Sequence, residues 1–232
     1  IALKPTDFKN LTPRLLVREG DAVKAGTPVF ADKFSPEIIF ASPVSGVVSE
    51  VVRGEKRKLL EIRIKTDKQI EYIKYDLPKV EDLSAEKIIE ALKKSGLWVC
   101  LKQRPYGIIP NPNVEPKAIF VSGFSSVPAA PDYDYALKDE LDNIQLAINA
   151  LNKLTKGGVH MGLSRISANS TPLHKLKNVY FHVFDGPHPA DNVGVQIHHI
   201  SPVNKGEVVW TVDLPLLAAI GKFFSKGIYD KI

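Results

Sequence analysis

The feature that most constrains this chain is a change of hydrophobic period near Leu83. Between residues 14 and 75, turn residues recur every few positions, at Gly20-Asp21, Gly26, Pro36, Pro43 to Gly46 and Gly54. The apolar runs between them ("LLV", "PVF", "IIF", "GVVSEVV") are too short for helices and read as strands. In "LLEIRIK", Leu60, Ile62 and Ile64 alternate with Glu61, Arg63 and Lys65, the period-two pattern of a half-buried strand. From Leu83 the period becomes helical. Ser84 is placed to cap "LSAEKIIEALKKSG", Glu86 lies in the first turn, Ile88, Ile89 and Leu92 share a face, and Gly96 is the stop.

A Pro-rich connector, "RPYGIIPNPNVEP", leads into a buried strand, "KAIFVSG". Next, "YALKDELDNIQLAINALNKLTKGG" spaces Leu137, Leu141, Ile144, Ile148, Leu151 and Leu154 for one long helix, and a strand, "GVHMGL", follows. Strand, helix, strand is a βαβ unit, which predicts an α/β module with a partly parallel sheet. Further strands are predicted at "NVYFHVF" and "EVVWTV", with Asp213 capping a closing helix through "LPLLAAIGKFFSKG". The expected division is a β domain over residues 1–78 and a Rossmann-like α/β domain over residues 79–232, with the boundary near 76–83.

Composition excludes several classes. One cysteine, Cys100, cannot form an intrachain disulfide, a CxxC zinc knuckle or a cysteine-ligated iron–sulfur cluster, and it fits a reducing compartment. The most apolar stretch, "LPLLAAIGKFF", is too short to span a bilayer and contains Pro215 and Lys222. The net charge of +5 is spread among interleaved acids. Its nearest approach to a cluster, "RGEKRK" at residues 53–58, reads as a solvated hairpin turn, and no nucleic-acid signature accompanies it. The opening "IALKPTDF" has no initiator Met and no targeting pattern, so it reads as the start of a fragment.

The pattern "VREGDAVKAGTPVF…ASPVSGVVSEV" resembles the biotinyl/lipoyl barrel-sandwich fold, in which Gly20-Asp21, Gly26 and Pro43 to Gly46 would be structural turns. Carriers of that fold bear a modified lysine at a tight hairpin tip. Here Ser35-Pro36-Glu37 lengthens the hairpin just beyond Lys33 and there is no Met-Lys-Met, so Lys33 is expected to be unmodified.

Over its whole length the chain resembles the A subunits of sodium-translocating NADH:quinone oxidoreductases. The resemblance is carried by "REGDAVKAG", "EDLSAEKIIEALKKSGLWVCLKQRPYGIIP", "KAIFVSG", "FDGPHPADNVGVQIHHISPV" and "AIGKFFSKGIYD". It implies a peripheral subunit on the cytoplasmic face of a bacterial inner membrane, within a six-subunit enzyme complex. That complex passes electrons from NADH through FAD, FMN, riboflavin and iron–sulfur centres to ubiquinone and exports sodium. Its implied partners are the other subunits, above all a membrane subunit carrying quinone or flavin. It also implies further chain at both ends.

The α/β part is also similar to the flavin-binding subunit of complex I and the C subunit of the Rnf complex. Those relatives carry a Gly-rich loop whose bare backbone approaches the flavin phosphate. At the matching place stand Gly96, Leu97, Trp98, Val99, Cys100, Leu101, Lys102, Gln103, Arg104 and Pro105, with side chains at every position after Gly96. Their acidic Glu-x-Glu-Pro is replaced by Ser125-Ser126-Val127-Pro128. A chain without its own flavin is therefore expected, with Lys102 and Arg104 in surface or interface ion pairs.

His182, His188, His198 and His199 fall close together, but without zinc-ligand spacing; adjacent His198 and His199 would face opposite ways if strand-borne, and no metal site is expected. The loop Asp185-Gly186-Pro187-His188-Pro189 is the one candidate for contact with quinone or a partner, because two prolines fix the backbone around one imidazole. Asp132 and Asp134 read as a solvated loop, and Trp98 and Trp210 as core or interface aromatics. No GxSxG elbow, Walker loop or HExxH is present, and no catalytic residue is assigned. The alternatives are a carrier module on a lipoyl-like shell, a free-standing flavoenzyme, and a subunit of the Rnf type.

Overall fold

A computed structural model describes residues 1–230. Seven strands build the N-terminal part: β1 (Ala2–Leu3), β2 (Pro13–Leu15), β3 (Ala22–Val23), β4 (Pro28–Asp32), β5 (Ile39–Ala41), β6 (Gly46–Arg53) and β7 (Leu59–Thr66). They form two antiparallel sheets, ordered β1-β7-β6-β3 and β2-β4-β5. The alternation in β7 points Ile62 and Ile64 inward against Val48, Val29 and Phe40, all buried. Each such side chain contributes about 1.5–3 kcal/mol by leaving water. Phe40 stacks on Phe30, ring centroids 4.4 Å apart. The "RGEKRK" segment is the exposed end of the β6–β7 hairpin, and Lys33 is exposed between β4 and β5.

The rest of the described chain comprises α1 (Ala85–Ser95), β8 (Lys102–Arg104), β9 (Ile119–Ser122), α2 (Tyr133–Ala136), α3 (Leu141–Asn152), β10 (Val159–Ser164), β11 (Tyr180–Phe184), α4 (Val193–Ile200), β12 (Val209–Thr211) and α5 (Leu214–Lys226). Its five-stranded sheet runs β11-β10-β9-β12-β8. The first four strands are parallel and β8 closes one edge antiparallel to β12. The β9–α3–β10 unit is the predicted parallel βαβ. Ser84 caps α1 by accepting from the Lys87 amide, and Gly96 ends it with a left-handed φ of 76°.

Two local expectations are corrected. The long helix divides: Asp132 caps the short α2 by accepting from the amides of Asp134 and Tyr135, the chain leaves helical geometry at Leu137, and α3 begins at Leu141. Leu137 and Leu154 therefore flank α3. Asp213 stands at the N-cap of α5 but makes no side-chain cap; its carboxylate turns to Lys102, 3.2 Å away. His198 and His199 lie on α4 and not on a strand.

The two parts share one core. A continuous set of buried side chains runs from Val17 and Phe40 through Leu97 and Trp98 to Ile148 and Phe223. The segment between them is tied back on both sides: the Tyr75 amide donates to the Gly227 carbonyl at 2.7 Å, and Lys153 Nζ donates to the carbonyls of Val80, Glu81 and Leu83 at 2.7–2.8 Å.

Gly221 sits where α5 crosses α3, and a Cβ there would overlap the Asn143 carbonyl. Helix propensity alone makes Gly→Ala favourable by about 1 kcal/mol. The backbone approach reverses the sign, and Gly221→Ala is expected to destabilise the chain by about 2 kcal/mol or more in urea denaturation. A stabilised variant would show that the α3–α5 spacing is wider than described.

A second prediction concerns His160 and His182, whose rings stack 5.2 Å apart on β10 and β11. Burial holds both imidazoles below their ordinary value; the Gly157 carbonyl partly offsets this at His160, and the neighbouring His160 charge adds to it at His182. Their folded pKa values lie below the unfolded one, so the unfolded chain takes up the extra protons as pH falls. Their contribution is complete above about pH 6.5 and is lost below it. Denaturation midpoints should drop between about pH 7.5 and about pH 5.5, less steeply in His182→Gln.

Candidate functional site

In open parallel sheets, ligands meet the protein beyond the carboxyl ends of the strands, where the strand order reverses. Here β9 is followed by β10 and β11 on one side while β12 returns to its other side, so the reversal lies between β9 and β12. The loops leaving β9 and β11 meet at this rim. The first brings Ser125 and Ser126; the second brings His188 and Asp191.

Their contacts form one network. Ser126 Oγ donates to Asp191 Oδ1 at 2.5 Å and Ser125 Oγ donates to Asp191 Oδ2 at 3.0 Å. His188 Nδ1 lies 3.2 Å from Ser126 Oγ and 3.3 Å from Asp191 Oδ1. The Asp191 side chain is 13% exposed and the imidazole of His188 54%. Burial works to raise the Asp191 pKa, but hydrogen bonds from Ser126 and Ser125, with the His188 charge, outweigh it and hold the carboxylate below its ordinary value. Asn192 caps α4 immediately beyond, fixing where the loop ends. Asp185, at the start of the loop, pairs with Arg165 at 3.4 Å. Pro187 and Pro189 flank His188, and the His188-Pro189 peptide is cis.

Tyr133, at the start of α2, faces the same rim: burial raises its phenol pKa first, and the charges of Asp213 and Asp191 raise it further. The Lys102–Asp213 pair stands beside it at the end of β12. On the sequence-predicted loop 96–105, Leu97, Trp98 and Leu101 are wholly buried and Cys100 nearly so. Trp98 Nε1 donates to the Pro110 carbonyl at 2.9 Å, and its ring meets Trp210 edge-on at 5.2 Å. A Cβ on Gly96 would come within 2.8 Å of the Ala41 Cβ. Gln103 Oε1 accepts from the Asn111 amide, and Pro105 follows a cis peptide into the turn at Gly107. Arg104 Nε is buried without a hydrogen-bond partner among the described residues.

Sequence reasoning found His188 and the serines separately and missed Asp191, which lies 65 residues from Ser126. It also missed the bond between His160 Nδ1 and His182 Nε2, 2.9 Å apart. His160 Nε2 donates to the Gly157 carbonyl, which leaves Nδ1 as the acceptor for a proton on His182 Nε2. His182 therefore pairs with His160. Among the described residues no group of three His, Cys, Asp or Glu side chains could hold a metal, and no helix is long and apolar enough to cross a membrane. A cavity of about 680 Å³ lies at the opposite, amino ends of β10 and β11, but its lining is engaged internally, Lys153 with the 80–83 segment and Asn152 with Asn178 and Val159.

Of the turns named from sequence, Gly20 and Gly26 adopt φ of 90° and 99°, and the Asp21 carboxylate accepts from the Arg18 amide at 2.7 Å. Gly46 lies directly against the Lys65 carbonyl, where no Cβ fits, and Pro43 precedes it in a turn closed by Ser42 Oγ donating to Val44 O.

Residues 1–67 match the family model described as the NqrA N-terminal barrel-sandwich hybrid domain, and residues 83–229 the model described as the NqrA second alpha/beta domain. Proteins named as the A subunits of Na(+)-translocating NADH-quinone reductases in Neisseria meningitidis serogroup A, Yersinia pseudotuberculosis and Pseudomonas aeruginosa are each 35% identical over 98% of this chain. The chain spans 51% of the length of each. Two consecutive family domains in the same order, matched at this identity along nearly the whole chain, show that it belongs to the family of Na(+)-translocating NADH-quinone reductase A subunits.

Proposed function

We propose that this chain is part of a peripheral subunit of a sodium-translocating NADH:quinone reductase, the complex that oxidises NADH, reduces ubiquinone and exports Na+. The observation that carries this reading is the family similarity along 98% of the chain. The chain acts within the complex, by docking to the other subunits and supporting the quinone-reduction step. The division at residues 1–78 and 79–232, attachment at the cytoplasmic face of the inner membrane, and a main partner in the membrane that carries quinone or flavin belong to the same proposal.

The chain holds no flavin of its own in this reading, although its α/β part is taken to share the fold of the complex I flavin subunit. What supports this is the packing of loop 96–105. Where a flavin phosphate needs bare backbone, Leu97, Trp98 and Leu101 fill the core and Gly96 is pressed against Ala41. FAD, FMN, riboflavin and iron–sulfur centres then belong to other subunits. The loop Asp185-Gly186-Pro187-His188-Pro189 is the surface offered to quinone or to the partner, with His188 as its exposed polar group.

Affinity purification of the full-length parent from detergent-solubilised membranes should bring down a yellow, multi-subunit, sodium-stimulated NADH:quinone reductase. A colourless protein recovered alone would sink the subunit reading. The chain 1–232 by itself should show no flavin absorbance. Within the assembled complex, His188→Ala should lower quinone reduction about tenfold while NADH oxidation by an artificial acceptor continues, the scale of one lost hydrogen bond. Equal loss of both activities would mean that the loop matters for assembly alone.

A further inference from the structure

The His188 imidazole has its Nδ1 beside two oxygens, and the protons on those oxygens are accounted for. Ser126 Oγ has one hydrogen, directed at Asp191 Oδ1 across 2.5 Å. It can therefore face His188 only through a lone pair. Asp191 is a carboxylate that already accepts from Ser125 and Ser126, and an ionised carboxylate has no hydrogen to give. Both neighbours of Nδ1, at 3.2 and 3.3 Å, are acceptors. The hydrogen shared with them must then reside on Nδ1 itself, because the tautomer of an imidazole is set by the bond its inner nitrogen makes.

We propose that Asp191 is the positioning residue for His188: held by Ser125 and Ser126, it keeps Nδ1 protonated, so that the neutral imidazole turns an unprotonated Nε2 out from the rim. Among the described residues no group is within hydrogen-bonding distance of that Nε2. Free histidine prefers the opposite tautomer, so the arrangement is imposed by the fold. It gives the rim an acceptor and base at Nε2, suited to a ligand or partner group that offers an O–H or N–H. Three features hold the ring in place: prolines on either side of His188, the partly buried carboxylate, and the Asn192 cap of α4 that anchors the loop's far end. Ser125 and Ser126, which stand where related flavoproteins carry acids, acquire a role as the hydroxyl donors that keep Asp191 ionised and oriented. The functional consequence rests on reading this loop as the working surface; the tautomer is a property of the chain alone.

Long-range proton–nitrogen correlation spectra of the histidine-¹⁵N-labelled chain, recorded at about pH 8.5 where histidine side chains are neutral, read the tautomer directly. His188→Gln identifies the signal. The wild type should show the Nδ1–H form favoured at least about tenfold, the scale of one charge-assisted hydrogen bond. Asp191→Asn places an amide that can donate to Nδ1 and should shift the ring toward Nε2–H, whereas Ser126→Ala keeps the carboxylate and should keep the Nδ1–H form. An Nε2–H majority in the wild type overturns the proposal. So does an unchanged tautomer in a folded Asp191→Asn chain. If that variant fails to fold, the wild-type spectrum alone decides. Quinone reduction that ignored His188→Ala in the complex would count against the function proposed for the loop and leave the tautomer result standing.

Discussion

The burial of the short turn from Gly96 to Leu101 is the constraint on which the rest of the structure depends. It lies where the β sandwich meets the α/β sheet, and it satisfies both. Gly96 has no side chain because the backbone of β5 passes directly beneath it. Leu97, Trp98 and Leu101 are wholly buried in the shared core, and Trp98 Nε1 donates its hydrogen to the Pro110 carbonyl. Through Trp98 the turn also meets Trp210 of β12, edge-on at 5.2 Å.

The same packing sets what this turn presents: buried side chains in place of bare backbone. A loop that cradles a phosphate must present unscreened amides, which requires glycines and a surface position. This loop is inward-facing and side-chain-rich. The hydrogen-bonded network at the rim of the parallel sheet lies on the opposite loops, those after β9 and β11. There a partly buried carboxylate, two hydroxyls and one exposed imidazole are joined through short contacts.

Much of the fold was legible because local rules and tertiary structure agree. The Ser84 cap and Gly96 stop of α1, the alternation in β7, and the strand–helix–strand order around α3 follow from spacing alone. The two misreadings have separate causes. Asp213 has the residue type and position of a cap, but Lys102, distant in sequence, offers its carboxylate a charged partner. The apolar spacing from Leu137 to Leu154 is continuous, but Asp132 starts a separate short helix before it. His198 and His199, which would face opposite ways on a strand, lie on the eight-residue α4.

The site divides in the same way. By itself the sequence determined that His188 is presented on a stiff loop, since prolines on both sides act through local backbone geometry, and that loop 96–105 carries side chains in place of glycines. Tertiary structure alone decided that Asp191 and Ser126, 65 residues apart, meet at that imidazole, and that His182 belongs with His160. Parallel strand order brings the ends of β9 and β11 to one rim, and no periodicity in a linear chain records which loops such a crossover will make neighbours.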